Sequence, residues 1–246
     1  VNILTTAQAA ALSATAAAAL TTSAVANVTS TQVNALTTNQ VQALTETQVK
    51  VLSTSTVAGL NTTQASVLTS KQLSAFSTSQ INSLSSTTVS KLGTSQVAAL
   101  NVLQIGALTT AAVNAMSTSQ VQALTVSQFK SLSTGAVAAL TTSQVGALTT
   151  AQAAVLSADS VGALSTASVA ALSSSQVKAM TKEAVTAFTT AQVQALSTAA
   201  VAALSSAQVS TLNSSEVALL STAQIKALDT TQVKALTAEG LSAFNT

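Results

Sequence analysis

The residues whose spacing best suits catalysis are two serine–lysine pairs, Ser127 with Lys130 and Ser175 with Lys178. Both match Ser-x-x-Lys, a motif of serine acyl-transfer enzymes. The Ser-Asp-Asn and Lys-Thr-Gly motifs that accompany it in those enzymes do not occur in the chain. Serine and lysine recur at fixed positions of a sequence repeat, so the repeat by itself produces both pairs. We therefore predict that the protein is not an enzyme and has no catalytic residues.

The six acidic residues stand mostly alone, so the sequence offers no carboxylate pair for acid–base catalysis. Asp229 and Glu216 occupy repeat positions that begin a predicted helix, where the helix dipole favours negative charge. Glu46 and Lys50 are four residues apart, and such a pair on a solvated helix face contributes about 0.3 kcal/mol. With no cysteine or histidine, the chain has no disulfide and no zinc site built on those residues. We expect no metal, no cofactor and no small-molecule ligand. The other acidic residues are Asp159, Glu183 and Glu239.

Positive charge is also sparse and dispersed. The formal net charge is +2, arginine is absent, and aromatic residues are not interleaved with the lysines. This pattern lacks the basic patch that binds phosphate backbones, so we predict no nucleic-acid partner. No apolar run approaches the roughly 18 residues of a membrane span. The lysines are Lys50, Lys71, Lys91, Lys130, Lys178, Lys182, Lys226 and Lys234.

An eight-residue repeat organises the whole chain. From Leu4 to Ala243 it runs through 30 complete octads without insertion or deletion. Position one is leucine in 25 octads and otherwise Val, Met or Phe, and position two is Ser, Thr, Asn or Asp in every octad except at Gly93. Position five is glutamine in 18 octads, and position six is valine in 20. We expect residues 1–246 to form one uninterrupted array, a segment of a longer chain or polymer.

Positions two and five predict that each octad begins a helix. Ser, Thr, Asn and Asp are the preferred N-cap residues, and a glutamine three residues later completes a capping box. The apolar residues at positions one and six flank the cap as a hydrophobic staple. A helix confined to positions three to eight is too short to persist alone, so it must pack against its neighbours. The sequence thus predicts an all-α solenoid of short N-capped helices, one per octad, with a β-solenoid as the alternative.

The same pattern predicts which positions face inward. We expect positions one, six and eight to be buried and positions three, four and seven to face solvent. Phe76, Phe188 and Phe244 at position one and Phe129 at position six should therefore lie in the core. Two to four octads should complete one superhelical turn, and no 16- or 24-residue modulation selects among these numbers or the handedness.

The array resembles the long Leu-Thr/Ser-Thr-x-Gln-Val-x-Ala tracts of large bacterial surface and secreted proteins, often described as adhesin-like. Units such as Ala187-Phe188-Thr189-Thr190-Ala191-Gln192-Val193-Gln194 carry this resemblance, which extends over the whole chain and has no functional residue to transfer. The resemblance implies an extracellular or cell-surface location in a bacterium and a structural or adhesive role. The absence of cysteine agrees with that location.

These observations favour a structural protein that forms a rod or filament segment and associates with further copies or repeats of itself. The broken octads at residues 1–3 and 244–246, without divergent capping units, suggested this self-association. One alternative is a spacer stalk in a large adhesin. Another is an ice- or surface-binding solenoid that uses the threonine-rich position three. Against this last function, position three is interrupted at Ala14, Glu46, Val102, Val126, Ala158, Lys182 and Ala238.

Overall fold

The computed structural model describes residues 4–242, and in this range the backbone forms 30 short α-helices and no β-strand. Each octad contributes one helix of four to six residues. The predicted all-α solenoid is confirmed, and the β-solenoid alternative is wrong because every octad forms a helix and no strand occurs in residues 4–242. Phe244, which was expected in the core, and the broken octads at the two ends lie outside the described residues.

The chain divides into two compact units, residues 1–132 and 133–246. The helices of the first unit are α1 (Thr6–Ala11), α2 (Ala14–Ala18), α3 (Thr22–Ala26), α4 (Ser30–Ala35), α5 (Thr38–Ala43), α6 (Glu46–Lys50), α7 (Thr54–Ala58), α8 (Thr62–Ser66), α9 (Ser70–Ala75), α10 (Thr78–Asn82), α11 (Ser86–Ser90), α12 (Thr94–Ala98), α13 (Val102–Gly106), α14 (Thr110–Ala115), α15 (Thr118–Ala123) and α16 (Val126–Lys130).

The helices of the second unit are α17 (Thr134–Ala138), α18 (Thr142–Gly146), α19 (Thr150–Ala153), α20 (Ala158–Gly162), α21 (Thr166–Ala170), α22 (Ser174–Ala179), α23 (Lys182–Thr186), α24 (Thr190–Ala195), α25 (Thr198–Ala202), α26 (Ser206–Val209), α27 (Ser214–Ala218), α28 (Thr222–Ala227), α29 (Thr230–Ala235) and α30 (Ala238–Ser242).

Position two caps the start of the helix as predicted. The Thr141 hydroxyl accepts a hydrogen bond from the Gln144 amide at 3.2 Å, and the Gln144 side-chain oxygen accepts one from the Thr141 amide at 2.7 Å. Gly93 has no side chain that could accept a hydrogen bond from the Gln96 amide, but its own amide still donates to the Gln96 side-chain oxygen. A capped start satisfies amides that a helix of five residues would otherwise expose. Local sequence therefore fixes each helix start.

Three octads complete one layer in each unit. Within the first unit every helix packs against the third helix along the chain, as α2 does with α5 and α11 with α14. The second unit repeats this pattern, for example between α21 and α24 and between α25 and α28. A layer therefore contains 24 residues and three helices. This number lies within the predicted range of two to four, which the sequence could not narrow.

The core is built from positions one, five and six. Position six is buried from Ala9 to Val217, and position one is buried from Leu44 to Leu220. Phe76, Phe129 and Phe188 are at most 3% exposed, as predicted. The prediction for position eight was wrong, because no described residue there is fully buried. Position eight lies at the helix C-terminus, where it is half-covered or exposed.

Side chains of all three helices in a layer share one interior. A small apolar cavity in the first unit shows this, because position-one and position-six residues of consecutive octads line it together. The cavity has a volume of about 40 Å³ and lies where Ala9 and Ala17 replace the usual valine at position six. Each alanine lacks the two methyl groups of a valine, so fewer side-chain atoms fill the core here.

Candidate functional site

The buried glutamine at position five is the most elaborate polar arrangement in the described part of the chain. In α22, the Gln176 side-chain oxygen accepts a hydrogen bond from the Ser173 amide at 2.6 Å, and the Gln176 amide donates to the Ser173 hydroxyl at 3.3 Å. These two bonds are the capping box that the sequence predicts. They use only the oxygen of the carboxamide, and the side chain is 2% exposed.

The carboxamide nitrogen of the same glutamine bonds to a different layer. Gln176 Nε2 donates to the carbonyl oxygens of Leu148 at 2.7 Å, Val145 at 3.0 Å and Gly146 at 3.3 Å. These carbonyls lie at and just beyond the C-terminus of α18, where a helix leaves carbonyls without intrahelical partners. One side chain thus satisfies the start of one helix and the end of the helix four octads earlier.

The arrangement recurs throughout both units. From Gln40 to Gln232, the hydrogen bond from the glutamine Nε2 to the position-one carbonyl oxygen 28 residues earlier ranges from 2.5 to 2.8 Å. Glutamines with this bond include Gln32, Gln40, Gln48, Gln64, Gln72, Gln80, Gln96, Gln104, Gln120 and Gln128 in the first unit, and Gln176, Gln192, Gln208, Gln224 and Gln232 in the second. We call this bond the layer link.

The layer link was not predicted from the sequence, although the composition contains a signal for it. A glutamate would complete the capping box as well as a glutamine does. Position five nevertheless has 18 glutamines and one glutamate, Glu216. The difference is that a carboxamide carries two N–H donors and an ionised carboxylate carries none. This bias toward the amide could have predicted buried acceptors opposite position five.

The serine–lysine pairs lie on outer positions of their helices. Ser127 and Lys130 are exposed on α16, and Ser175 and Lys178 are exposed on α22. A shallow groove in the second unit contains Ser175, Lys178 and Asp229. Asp229 is already the N-cap of α29, where its carboxylate accepts the Gln232 amide at 2.7 Å. The groove thus contains a helix-capping carboxylate beside solvated side chains.

The other acidic residues are placed at helix starts. Glu46, Asp159 and Glu183 lie in the first turns of α6, α20 and α23 and are exposed. Glu216 differs because it is 6% exposed, and burial is the main cause that raises the pKa of its carboxyl group above the ordinary value. Hydrogen bonds from Asn213 oppose this rise in pKa. Among the described residues, no three acidic side chains converge as a metal site would require.

The layer period sorts position three into three outer columns, each with residues 24 apart. In the first unit one column contains Thr94 and Thr118, and in the second unit one column contains Thr142, Thr166 and Thr190. These threonines are exposed or half-exposed. Most of the interruptions noted in the sequence fall in the other two columns. In the second unit three successive layers of this column, Thr142, Thr166 and Thr190, therefore carry threonine without interruption.

An apolar patch lies on the outer surface of the first unit. Leu103 is 72% exposed and Val102 is 42% exposed on α13, and Val126 is 39% exposed on α16, which packs against α13 in the next layer. Positions three and four are otherwise mostly Ser, Thr or Ala. The patch is therefore a local departure from a polar, nearly uncharged surface.

The fold defines the chain as an all-α repeat solenoid, and a comparison with known families agrees with its repetitive character. The model of the ALTTAQ repeat family matches residues 103–134, 127–158, 157–190 and 185–214. The four matched segments overlap and lie in tandem, which supports a repeat tract. The search of curated proteins found no match. In residues 4–242 no helix is both long and apolar enough to cross a membrane.

Proposed function

We propose that the protein is a non-enzymatic structural repeat protein, a rod or filament segment of a bacterial cell-surface or extracellular assembly. The layer link is the observation that carries this proposal. Its acceptors are backbone carbonyls, so any octad with a glutamine at position five can make it with the octads three and four positions earlier. A fold with such interchangeable layers gains length by adding repeats, which is how solenoids grow.

The outer surface also supports a structural role. Positions two, three, four and seven are dominated by Ser, Thr, Ala and Gln, and only 6% of all residues are charged. Each layer has donors on one side and carbonyl acceptors on the other. Contacts of this heterologous kind between copies build open fibres where the rotation does not close. We therefore propose self-association with further copies or repeats, and no nucleic-acid or small-molecule partner.

Electron microscopy of material purified from its source, labelled with an antibody against the repeat, tests this proposal. Label at regular intervals along continuous fibres is the expected result. Label restricted to a segment between the cell and a non-repetitive head would instead establish a spacer stalk, the alternative within the structural class. Soluble particles without fibres or stalks would contradict both structural functions.

The threonine column favours one further candidate function, the binding of ice or a similarly ordered surface. Thr142, Thr166 and Thr190 lie on successive layers of the second unit and could order water in a regular row. Thermal hysteresis of a dilute solution, abolished by the triple substitution of these threonines by lysine, would support this function. The matched control substitutes Thr150, Thr198 and Thr222, which lie in another column, by lysine. Equal loss in both variants would indicate a general effect of charge.

A further inference from the structure

Glu216 is the single carboxylate at a position where the other octads use an amide or a small side chain. It completes the capping box, since its Oε2 accepts the Asn213 amide at 2.8 Å and its own amide donates to Asn213 Oδ1 at 3.0 Å. The side chain is buried like the glutamines at equivalent positions. Glu216 therefore occupies the glutamine site with one oxygen already engaged.

At the other glutamine positions, the side-chain nitrogen faces backbone carbonyl oxygens, which are hydrogen-bond acceptors. In the same unit, Gln192 donates to the Leu164 and Val161 carbonyls at 2.7 and 3.0 Å, which lie 28 and 31 residues earlier. The same spacing from Glu216 leads to the carbonyls of Phe188 and Val185, at the end of α23. An ionised carboxylate has no proton for these oxygens, whereas a protonated one has an O–H donor. An ionised Glu216 therefore lacks the donor with which a glutamine at this position bonds to such carbonyls.

Among the described side chains on the helices around Glu216, no cation is paired with its carboxylate. It forms α27 with Asn213 as its N-cap, and α27 packs against α24 and α30. Helix α24 has no ionisable side chain, and α30 has Glu239, whose side chain is not described. The groups on α23 are Lys182 and Glu183, both exposed in its first turn. Burial is the leading influence on Glu216, and it raises the pKa of this carboxyl group.

We propose that Glu216 makes the link between α27 and the end of α23 a proton-dependent joint. With Glu216 protonated, its O–H donates to the Phe188 carbonyl and the joint is closed. With Glu216 ionised, this bond is lost and the two layers separate more readily. A carboxyl group whose folded-state pKa is raised stabilises the fold fully below its unfolded-state pKa, and this contribution is lost as pH rises through the folded-state value. The joint is therefore tighter in acid.

Hydrogen–deuterium exchange of the full-length protein between pH 4 and pH 7 tests the proposal, after correction for the intrinsic exchange rate. The probes are the Val217 and Leu220 amides, which donate to the Asn213 and Val217 carbonyls. Each unit by which the Glu216 pKa is raised should increase the opening equilibrium constant about tenfold across this range. Glu216→Gln should remove the pH dependence and keep the amides protected at pH 7, because it restores the amide donor.

Two further variants make the test specific and independent of the proposed structural function. Glu183→Gln removes an exposed carboxylate on α23 and should leave the pH dependence intact. Gln192→Glu should create a second joint whose opening also rises with pH. The proposal is overturned if Glu216→Gln and the natural protein show the same pH dependence, or if Glu183→Gln abolishes it equally. A carboxyl NMR titration that places Glu216 at or below the ordinary glutamate pKa would also overturn it.

Discussion

At the scale of single residues, the glutamine at position five joins two helices through one buried carboxamide. Its oxygen serves the N-terminus of its own helix, and its nitrogen serves the C-terminus of a helix in the preceding layer. Both ends of such short helices would otherwise leave backbone groups unpaired in a buried setting, which is costly. Substituting the glutamine should therefore disturb more than one helix.

Two glutamines of α24 provide a matched test of this claim. Gln192 is buried and makes the layer link, whereas Gln194 is exposed and donates only to the Leu219 carbonyl at 3.2 Å. We expect Gln192→Ala to lower the free energy of unfolding by about 2 kcal/mol, because buried donors and acceptors lose their partners. Gln194→Ala should change it by less than about 0.5 kcal/mol. Urea denaturation measures both, and equal effects would contradict the layer link.

The cavity of the first unit gives a prediction of opposite sign. Ala17 is 1% exposed and borders a space of about 40 Å³. Ala17→Val should fill part of this space and raise the free energy of unfolding by up to about 1 kcal/mol, at roughly 24 cal/mol per Å³. Ala10→Val places the same side chain on an exposed position of α1 and should be slightly destabilising through its lower helix propensity. In thermal denaturation, Ala17→Val should unfold at a higher temperature than the natural protein, and Ala10→Val at a slightly lower one.

At the scale of the helices, much could be predicted because the determining signals are local. The residue at position two, such as Thr141, predicts where each helix begins. The staple residues Leu140 and Val145 are buried as expected. Position eight was misassigned because its alanines resemble packing residues, whereas Ala147 is a half-exposed C-cap. The layer link was missed because its acceptors are backbone carbonyls of another layer. The bias toward glutamine at position five points to buried acceptors, but it does not say which carbonyls they are.

The helix-per-octad unit can be tested by deletion. Removing residues 172–179, one octad, should leave the rest of the second unit in register, because later glutamines still meet backbone carbonyls at the same spacing. Removing residues 172–175 should be severe, since it joins half an octad to the next and displaces every following cap and core residue. Circular dichroism during heating measures the two unfolding midpoints. If the midpoints matched, the octad would not be the structural unit.

At the scale of the whole molecule, each unit is a stack of layers in which the third helix along the chain is the neighbour. The sequence left this number open because every octad carries nearly the same local signal and none marks the completion of a layer. The expectation that Ser127 and Lys130 are not catalytic rests on motif context alone and stays a prediction. The threonine column and the proposed Glu216 joint depend on the three-octad layer period, so they could not be predicted from the sequence alone.

An engineered disulfide in the second unit tests the three-octad layer most directly, and the natural chain has no cysteine to interfere. A Cβ added at Gly146 would lie 3.7 Å from the Ala171 Cβ, a separation that suits a disulfide. With three octads per layer, the Gly146→Cys, Ala171→Cys variant should form its disulfide rapidly under mild oxidising conditions and keep its helical circular dichroism. Pairing Gly146→Cys with Ala163→Cys or Ala179→Cys samples layers of two or four octads at the same repeat positions. Preferential crosslinking in either of these variants, with none between 146 and 171, would contradict the account.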